Sequence, residues 1–385
     1  MVCSEALLTI DLGAIRRNWQ RLQDRIGPNC VCAAVAKANA YGLGIERVAP
    51  ALYEQGCRFF FVATVNEGVN LRRLLSVDAT IFVLDGLRPG FESYCLEYQL
   101  QPVLFSRAQL ERWHQAQSHL AEPAPCAIKF DSGMGRLGFS QSELQALLDE
   151  PELLQAVQPL WFISHLACAD EVAHPLNQQQ LQVFEAALSQ VKQLLPNIKS
   201  TLANSSGVFL GQEWHFDLVR PGAALYGVNP VPGKTSPVES VVSLRLPVVQ
   251  IREVEAGGTV GYGAEHQLQR ASRLAVVLGG YADGIHRAVG GSGGAGRGWL
   301  SGIEVPVVGR VSMDTTVFDI TAVPEDKLPP EGEAYIELLG EHQGVDDVAV
   351  AAGTIGYEIL TSLGDRYERS YTDWGTDWDT DCGKD

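Results

Sequence analysis

The sequence predicts an α/β chain: a (β/α)8 TIM-like barrel followed by a mostly β C-terminal domain. Three observations carry that expectation. Short apolar runs alternate with amphipathic helical patterns eight times over the first two-thirds of the chain. The texture changes after Gly227, where residues 228–237 (VNPVPGKTSP) form a Pro/Gly linker without periodicity. Beyond it the apolar runs lengthen and read as strands separated by turn residues.

In order, candidate barrel strands begin near Val31 (VCAAVAK), Phe59 (FFFVATV), Thr80 (TIFVLD), Pro102 (PVLF), Cys126 (CAIKFD), Leu160 (LWFISH), Ser200 (STLANS) and His215 (HFDLVR). Helical patterns between them include IERVAPALYEQG, VNLRRLLS, RAQLERWHQAQ and NQQQLQVFEAALSQVKQLL. Ser140 with Glu143 makes a capping box for the helix after the fifth strand. The seventh-to-eighth connection is short and its helix weak. An open doubly wound sheet is the alternative, but no strand is followed by GxGxxG and the count of eight favours closure.

The domain reading is an N-terminal strand in residues 1–12 packing with the C-terminal domain, a barrel in 13–238, a β-rich domain in 239–372, and an acidic tail in 373–385 expected to be disordered. The C-terminal strands are SVVSLRLPVVQIREV, RLAVVLGGYA, IEVPVVGRVSM and EAYIELLG; VDDVAVAAGTIGYEILTSLG reads as two short helices broken near Gly353. Residues 290–298 (GGSGGAGRG) lack the Lys-Ser/Thr ending of a phosphate loop and read as a flexible hairpin tip.

Composition excludes several classes. Hydrophobic residues at 46% and charged residues at 19% fit a globular protein, not a disordered one. A net charge of −17 argues against nucleic acid and anionic membrane surfaces. The 8 cysteines show no CxxC and no metal-site spacing, and a reducing cytoplasm is the expected compartment. The segment MVCSEALLTIDLG lacks the charge and apolar length of a signal peptide.

Barrel catalysis gathers where strands end. There stand Lys37 after the first strand, Lys129 and Asp131 at the fifth, His165 at the sixth, Ser205 after the seventh and Arg220 after the eighth. A lysine at a barrel mouth suits Schiff-base chemistry, because partial burial frees its amine. Tyr41 follows it in YGLG. Asn204-Ser205-Ser206-Gly207 and Arg220-Pro221-Gly222-Ala223 offer hydroxyls and free backbone N–H groups, the parts of a barrel phosphate site. Lysine and cradle together suggest pyridoxal phosphate.

These residues also carry a resemblance. AVAKANAYGLG (34–44) resembles the cofactor-lysine signature of alanine racemases. It is joined by IKFDSGMGRLGF (128–139), ISHLACAD (163–170), LANSSG (202–207), VRPGAALYG (219–227), VGYGAEH (260–266), GYADGIHR (280–287), VGRVSMD (308–314), GTIGYE (353–358) and RYERSY (366–371), in the family's order over nearly the whole chain.

The resemblance implies a homodimeric, cytoplasmic isomerase that interconverts L- and D-alanine and supplies D-alanine for peptidoglycan, each site shared between two chains. Lys37 would form the cofactor aldimine and act as base on the D-side. Tyr262 would be the opposing base for L-alanine, reaching in from the partner. Tyr41, Ser205, Tyr357 and the backbone of Gly222 and Ala223 would hold the phosphate. Arg220 would meet the pyridine nitrogen with His165 bracing it. Arg136 and Met313 would orient the substrate carboxylate and cofactor phenolate, Tyr281 and Asp314 would line the entry, and Lys129 matches a lysine often carbamylated, positioning Arg136.

The chemistry explains the residue types. An amino acid's α-proton leaves only when a conjugated ring accepts the electron pair, and inversion needs proton donors on opposite faces. An always-charged Arg at the ring nitrogen keeps the sink moderate. Singly, Tyr262 reads as a strand aromatic, His165 as a core histidine, Ser205 and Tyr357 as capping or packing residues and Met313 as core filler; the resemblance reassigns them. Gly261, Ser312 and Gly356 depart from common family choices without removing a catalytic group. A racemase for serine or a broader substrate set is the rival within the fold, and a non-catalytic cofactor carrier the rival outside it.

Overall fold

The computed structural model describes residues 6–373 except 292 and 331; the acidic run from 374 onward lies outside the described residues. Contacts divide the chain into two compact units, one comprising Arg16–Leu225 with Asn229–Val238, the other the described remainder. The helix Leu12–Arg25 therefore begins in one unit and continues into the other.

The first unit is the barrel. Leu7–Asp11 (β1) belongs to the other unit, and the barrel strands are β2 (Val31–Cys32), β3 (Ala34–Val35), β4 (Phe59–Val62), β5 (Thr80–Val83), β6 (Leu100–Leu104), β7 (Ala127–Lys129), β8 (Trp161–Ile163), β9 (Lys199–Thr201) and β10 (Leu218–Val219). Strands β3 to β9 pair in parallel in sequence order, and β10 pairs with β2. Closure between β9 and β10 comes from Asp217 N–H to the Ser200 carbonyl (3.1 Å) and Arg220 N–H to the Ala203 carbonyl (2.9 Å). With β2 and β3 as one interrupted strand, the barrel has the eight expected.

Both faces of these strands are buried, which is why they read as continuous apolar runs. Phe82 on β5 and Trp161 on β8 lie three strands apart yet meet edge-on at 5.8 Å, and Phe61 stacks on Phe82 at 4.4 Å. These rings fill the barrel interior. Phe162 points outward instead and stacks at 5.2 Å on Phe184 of the long helix Pro175–Leu194. The Ser140–Glu143 capping box forms as expected. The β9–β10 connection holds only two single-turn 3-10 segments, Gly207–Phe209 and Gln212–Trp214. Two short helices, Glu92–Glu97 and Glu152–Val157, were not expected; six residues are too few to show a helical period.

In the second unit, the long strand β11 (Val242–Val254) is the spine. It pairs antiparallel with β1, with β14 (Ser272–Leu278) and with β18 (Tyr335–Leu339). The short hairpin β12–β13 (Thr259–Val260, His266–Gln267) stands off this sheet. β15 (Arg297–Leu300) and β16 (Ile303–Pro306) extend one edge, β17 (Thr315–Asp319) joins β14, and β19 (Glu368–Thr372) lies parallel to β1. Helices Val345–Ala352 and Gly356–Thr361 break at Gly353, whose φ is +68°.

Within the glycine-rich segment, Gly290, Gly294 and Gly296 are closely packed, where a loose hairpin tip was expected. A Cβ on Gly294 or on Gly296 would come within 2.6 Å of the Val289 carbonyl oxygen, and one on Gly290 within 2.6 Å of that of Gly309. Gly291 N–H and Gly296 N–H bond the Gly309 and Val289 carbonyls. These glycines permit backbone-on-backbone packing, a use that composition does not distinguish from flexibility. Among the described residues no helix is long and apolar enough to cross a membrane.

Candidate active site

Lys37 stands directly after β3, where the chain takes an uncommon path. Ala38, Asn39, Ala40 and Tyr41 all adopt φ between +53° and +56°, a left-handed turn built without glycine. Each such residue costs roughly 1–2 kcal/mol against the right-handed helix, so the turn stores on the order of 4–8 kcal/mol. Bonds at both ends offset this cost. Ala38 N–H donates to Glu67 Oε1 at 2.9 Å, and Ile45 N–H to Asn39 Oδ1 at 2.8 Å. Gly42, at φ +83°, closes the turn. Lys37 is left half-buried and Tyr41 buried.

Tyr41 ends against the loop after β10. A Cβ on Gly222 would lie 2.3 Å from the Tyr41 hydroxyl, so glycine is what lets the tyrosine end there. Ser205 Oγ accepts from Gly222 N–H (3.0 Å) and Ala224 N–H (3.2 Å). Tyr41, Ser205 and Gly222 thus converge, with Ser205 Oγ taking up the Gly222 N–H, and their two hydroxyls at one point suit a phosphate.

Arg220 is 4% exposed and enclosed by acceptors. It donates to Thr201 Oγ1 and to the carbonyls of Ser164 and Leu202, and one terminal nitrogen lies 3.4 Å from His165 Nδ1. Burial pulls its pKa down to about 9, which leaves it cationic at neutral pH. Burial, then the charges of Arg220, Lys129, Arg136 and Lys37, holds His165 well below the usual imidazole range. His165 is therefore neutral and can accept from Arg220.

Lys129, 7% exposed at the end of β7, is pushed down to about 8 by burial and then by Arg220 and Arg136, against the opposite pull of Asp85 and Asp131. Asp131 accepts from Gly133 and Met134 (2.9 and 2.8 Å) and from Gly135 (2.9 Å), shaping the loop that carries the exposed Arg136. Burial alone would raise the Asp131 pKa, but these N–H groups and Lys129 hold it below the ordinary carboxylate value.

Sequence reasoning missed Gln180. It is fully buried on the helix Pro175–Leu194, accepts from Ala167 N–H (2.9 Å), and donates to the His165 carbonyl (2.9 Å) and to Ser132 Oγ (3.2 Å). It thereby ties together the loops after β7 and β8. The available signal was its spacing: Leu176, Gln180 and Phe184 fall at four-residue intervals, which sets a glutamine on the buried stripe.

The remaining named residues lie in the β unit. Tyr262, on the turn Tyr262–Ala264, is 70% exposed, Met313 52%, Tyr281 44% and Tyr357 38%. Tyr281 N–H and Ala282 N–H bond the carbonyls of Ser312 and Met313 (both 3.0 Å), so those loops advance side by side. Arg366 grips Asp283 with two nitrogens (2.6 and 2.7 Å) and Asp314 with the third (2.7 Å). Arg310 pairs with Glu265 beside the Tyr262 turn.

An amine, a buried cation, a neutral imidazole and a phosphate cradle at one barrel mouth define the class: a barrel enzyme that uses pyridoxal phosphate. Comparison with known proteins gives the particular family. Residues 10–230 match the alanine racemase N-terminal domain model and residues 241–371 the C-terminal domain model. An alanine racemase of Rhodospirillum rubrum is 48% identical over 95% of this chain and 96% of its own length. A catabolic alanine racemase of Mesorhizobium japonicum is 46% identical over 95% and 93%. The Bartonella henselae alanine racemase, solved with covalently bound pyridoxal phosphate, superposes with a TM-score of 0.89 at 39% identity, over 96% of this chain and 99% of that one. The biosynthetic Pseudomonas aeruginosa enzyme gives 0.86 at 34%, over 96% and 99%. The chain belongs to the alanine racemase family.

Proposed function

We propose that this chain, an alanine racemase, inverts its substrate with two bases: Lys37 on the D-side and, from a second copy of the chain, the partner subunit's Tyr262 on the L-side. The observation that carries the cofactor half is the cradle. Gly222 leaves room for the Tyr41 hydroxyl where any other residue would clash, and Ser205 joins them. These groups, with Ala223 and Tyr357, would hold the phosphate, Lys37 Nζ the carbonyl carbon, and Arg220 the ring nitrogen with His165 at its side. When bound, pyridoxal phosphate supplies an acceptor for the electron pair left by the departing α-proton.

The protein's own groups do the rest. Arg220, cationic and held by fixed acceptors, cannot hand a proton to the ring and limits how much charge the ring takes up. Arg136 and Met313 orient the substrate, with Lys129, carbamylated, positioning Arg136; its pKa near 8 leaves a neutral amine fraction able to take up carbon dioxide. Tyr281 and Asp314 border the entry. The exposure of Tyr262, Tyr281 and Met313 supports a homodimer, since aromatic and thioether side chains left in water on one chain suit a protein partner.

The six described cysteines are unpaired and five are buried, which supports a reducing cytoplasm. The product suits peptidoglycan supply, and because enantiomers are equal in free energy the same chemistry serves the catabolic use named for the Mesorhizobium relative.

The test is holoenzyme with L-alanine in heavy water, followed by chiral separation. D-alanine rising toward an equal mixture with deuterium at the α-carbon is expected. Exchange without inversion would remove the second base, and faster turnover of L-serine than L-alanine would favour the rival substrate.

A further inference from the structure

We infer that Glu67 is a positioning residue for Lys37, its carboxylate bracing the left-handed turn that begins at the amine-bearing residue; the inference rests on the assignment of Lys37 as the cofactor lysine.

Little in the local sequence favours that turn, Asn39 alone being of a type that visits the left-handed region readily. Ala38, Asn39, Ala40 and Tyr41 are not glycine, yet each holds a positive φ. Within the turn, Ala40 N–H bonds the Ala36 carbonyl, Gly42 N–H that of Ala38, and Gly44 N–H that of Asn39. The Ala38 N–H, first after Lys37, instead leaves the turn and donates to Glu67 Oε1.

Glu67 belongs to the next βα unit, at the third position of the helix Val65–Leu74. Its other oxygen, Oε2, serves that helix, accepting from Ala63 N–H (2.7 Å) and Thr64 N–H (3.3 Å). One carboxylate therefore fastens the end of β4 to the start of the Lys37 turn, across two strands that already pair. The second oxygen is surplus to helix capping, and its placement on Ala38 is what assigns the role. Glutamine cannot replace it, because an amide offers one accepting oxygen and would set its NH2 against an N–H donor.

The experiment compares Glu67→Gln with Thr64→Ala. The latter removes the hydroxyl that accepts from Glu67 N–H, weakening the same helix cap without touching the Lys37 turn. Three readouts are taken: deuterium uptake by a peptide spanning 34–44 in cofactor-free protein, the dissociation constant for added pyridoxal phosphate, and the pH dependence of the holoenzyme's visible absorption. Glu67→Gln is expected to speed exchange in that peptide, weaken cofactor binding by about tenfold or more, and displace the pH profile. Thr64→Ala is expected to leave all three as in wild type.

Wild-type values in Glu67→Gln, or equal losses in both variants, would overturn the inference. Should Glu67→Gln not fold, Glu67→Asp serves, being able to cap the helix but too short to span to Ala38 as well. Borohydride reduction of wild-type holoenzyme followed by peptide mapping separates the two layers. A label on a lysine other than Lys37 refutes the cofactor assignment, whereas a label on Lys37 with an indifferent Glu67→Gln refutes only the bracing role.

Discussion

At the barrel mouth Tyr41, Lys129, Ser205 and Arg220 are buried, and the loops are held by side chains that reach across to one another, as Glu67 does to Ala38, Gln180 to the His165 carbonyl and Arg220 to Ser164. On the β unit the arrangement is reversed. Tyr262, Tyr281 and Met313 are exposed, and their loops are fastened backbone to backbone through glycines such as Gly280 and Gly309, where a Cβ would strike main-chain atoms. The barrel thus fixes charges, tuning each by burial and by its neighbours. The β unit fixes the paths of loops and leaves their tips free to meet something else.

Lys37→Ala should have the largest effect, lowering racemase activity by about 10⁴-fold or more and abolishing borohydride-trappable cofactor. Retained trapping would move the lysine elsewhere. On the other side of the comparison, Tyr262→Phe should slow deuterium exchange into L-alanine by about 10²- to 10⁴-fold while the cofactor stays bound. Wild-type exchange in that variant would show the exposed tyrosine to be no base.

The burial of charge at the barrel mouth also has a stability signature. Lys129 has a folded pKa near 8 against an ordinary 10.5, so between these values the unfolded chain holds a proton that the folded one lacks. Stability must then rise with pH across that window, by up to on the order of 3 kcal/mol. Denaturation of cofactor-free protein in carbon-dioxide-free buffer should show this gain in wild type and not in Lys129→Met. A flat difference would mean that Lys129 is solvated.

Two glycine substitutions give the smallest effects and sharpen the contrast most. Gly222→Ala meets the end of the Tyr41 side chain, which can swing away, so it should weaken pyridoxal phosphate binding about tenfold with little loss of fold stability. Gly280→Ala meets the carbonyl oxygens of Ser312 and Met313 at 2.3 Å, which cannot move without the loops. It should cost about 1–3 kcal/mol in thermal or denaturant unfolding. Reversed outcomes would exchange the roles given to the two regions.

Legibility in the sequence follows the same physics. The eight barrel strands could be read because strands buried on both faces must be apolar throughout, as FFFV and TIFV are. Lys37, His165 and Arg220 could be read because each is a polar group at the point where such a run stops. The left-handed turn could not, since Ala38, Ala40 and Tyr41 carry no mark of positive φ, Asn39 is only a weak one, and the bond that holds Ala38 comes from 29 residues away. Gln180 hid in a run of three glutamines, where only helical spacing separates the buried one from its exposed neighbours. Gly290, Gly294 and Gly296 were misread because composition reports conformational freedom and not close packing.

In the proposed scheme Lys37 of one chain and the partner's Tyr262 act on the same substrate molecule. Mixing Lys37→Ala protein with Tyr262→Phe protein, under conditions that let subunits exchange, decides whether they do. In a shared-site dimer each mixed pair carries one site with both lesions and one with neither, so activity should return from near zero to about a quarter of wild type. A mixture as inactive as its two components, with mixed dimers demonstrably formed, would place both bases in one chain and rule out a shared site.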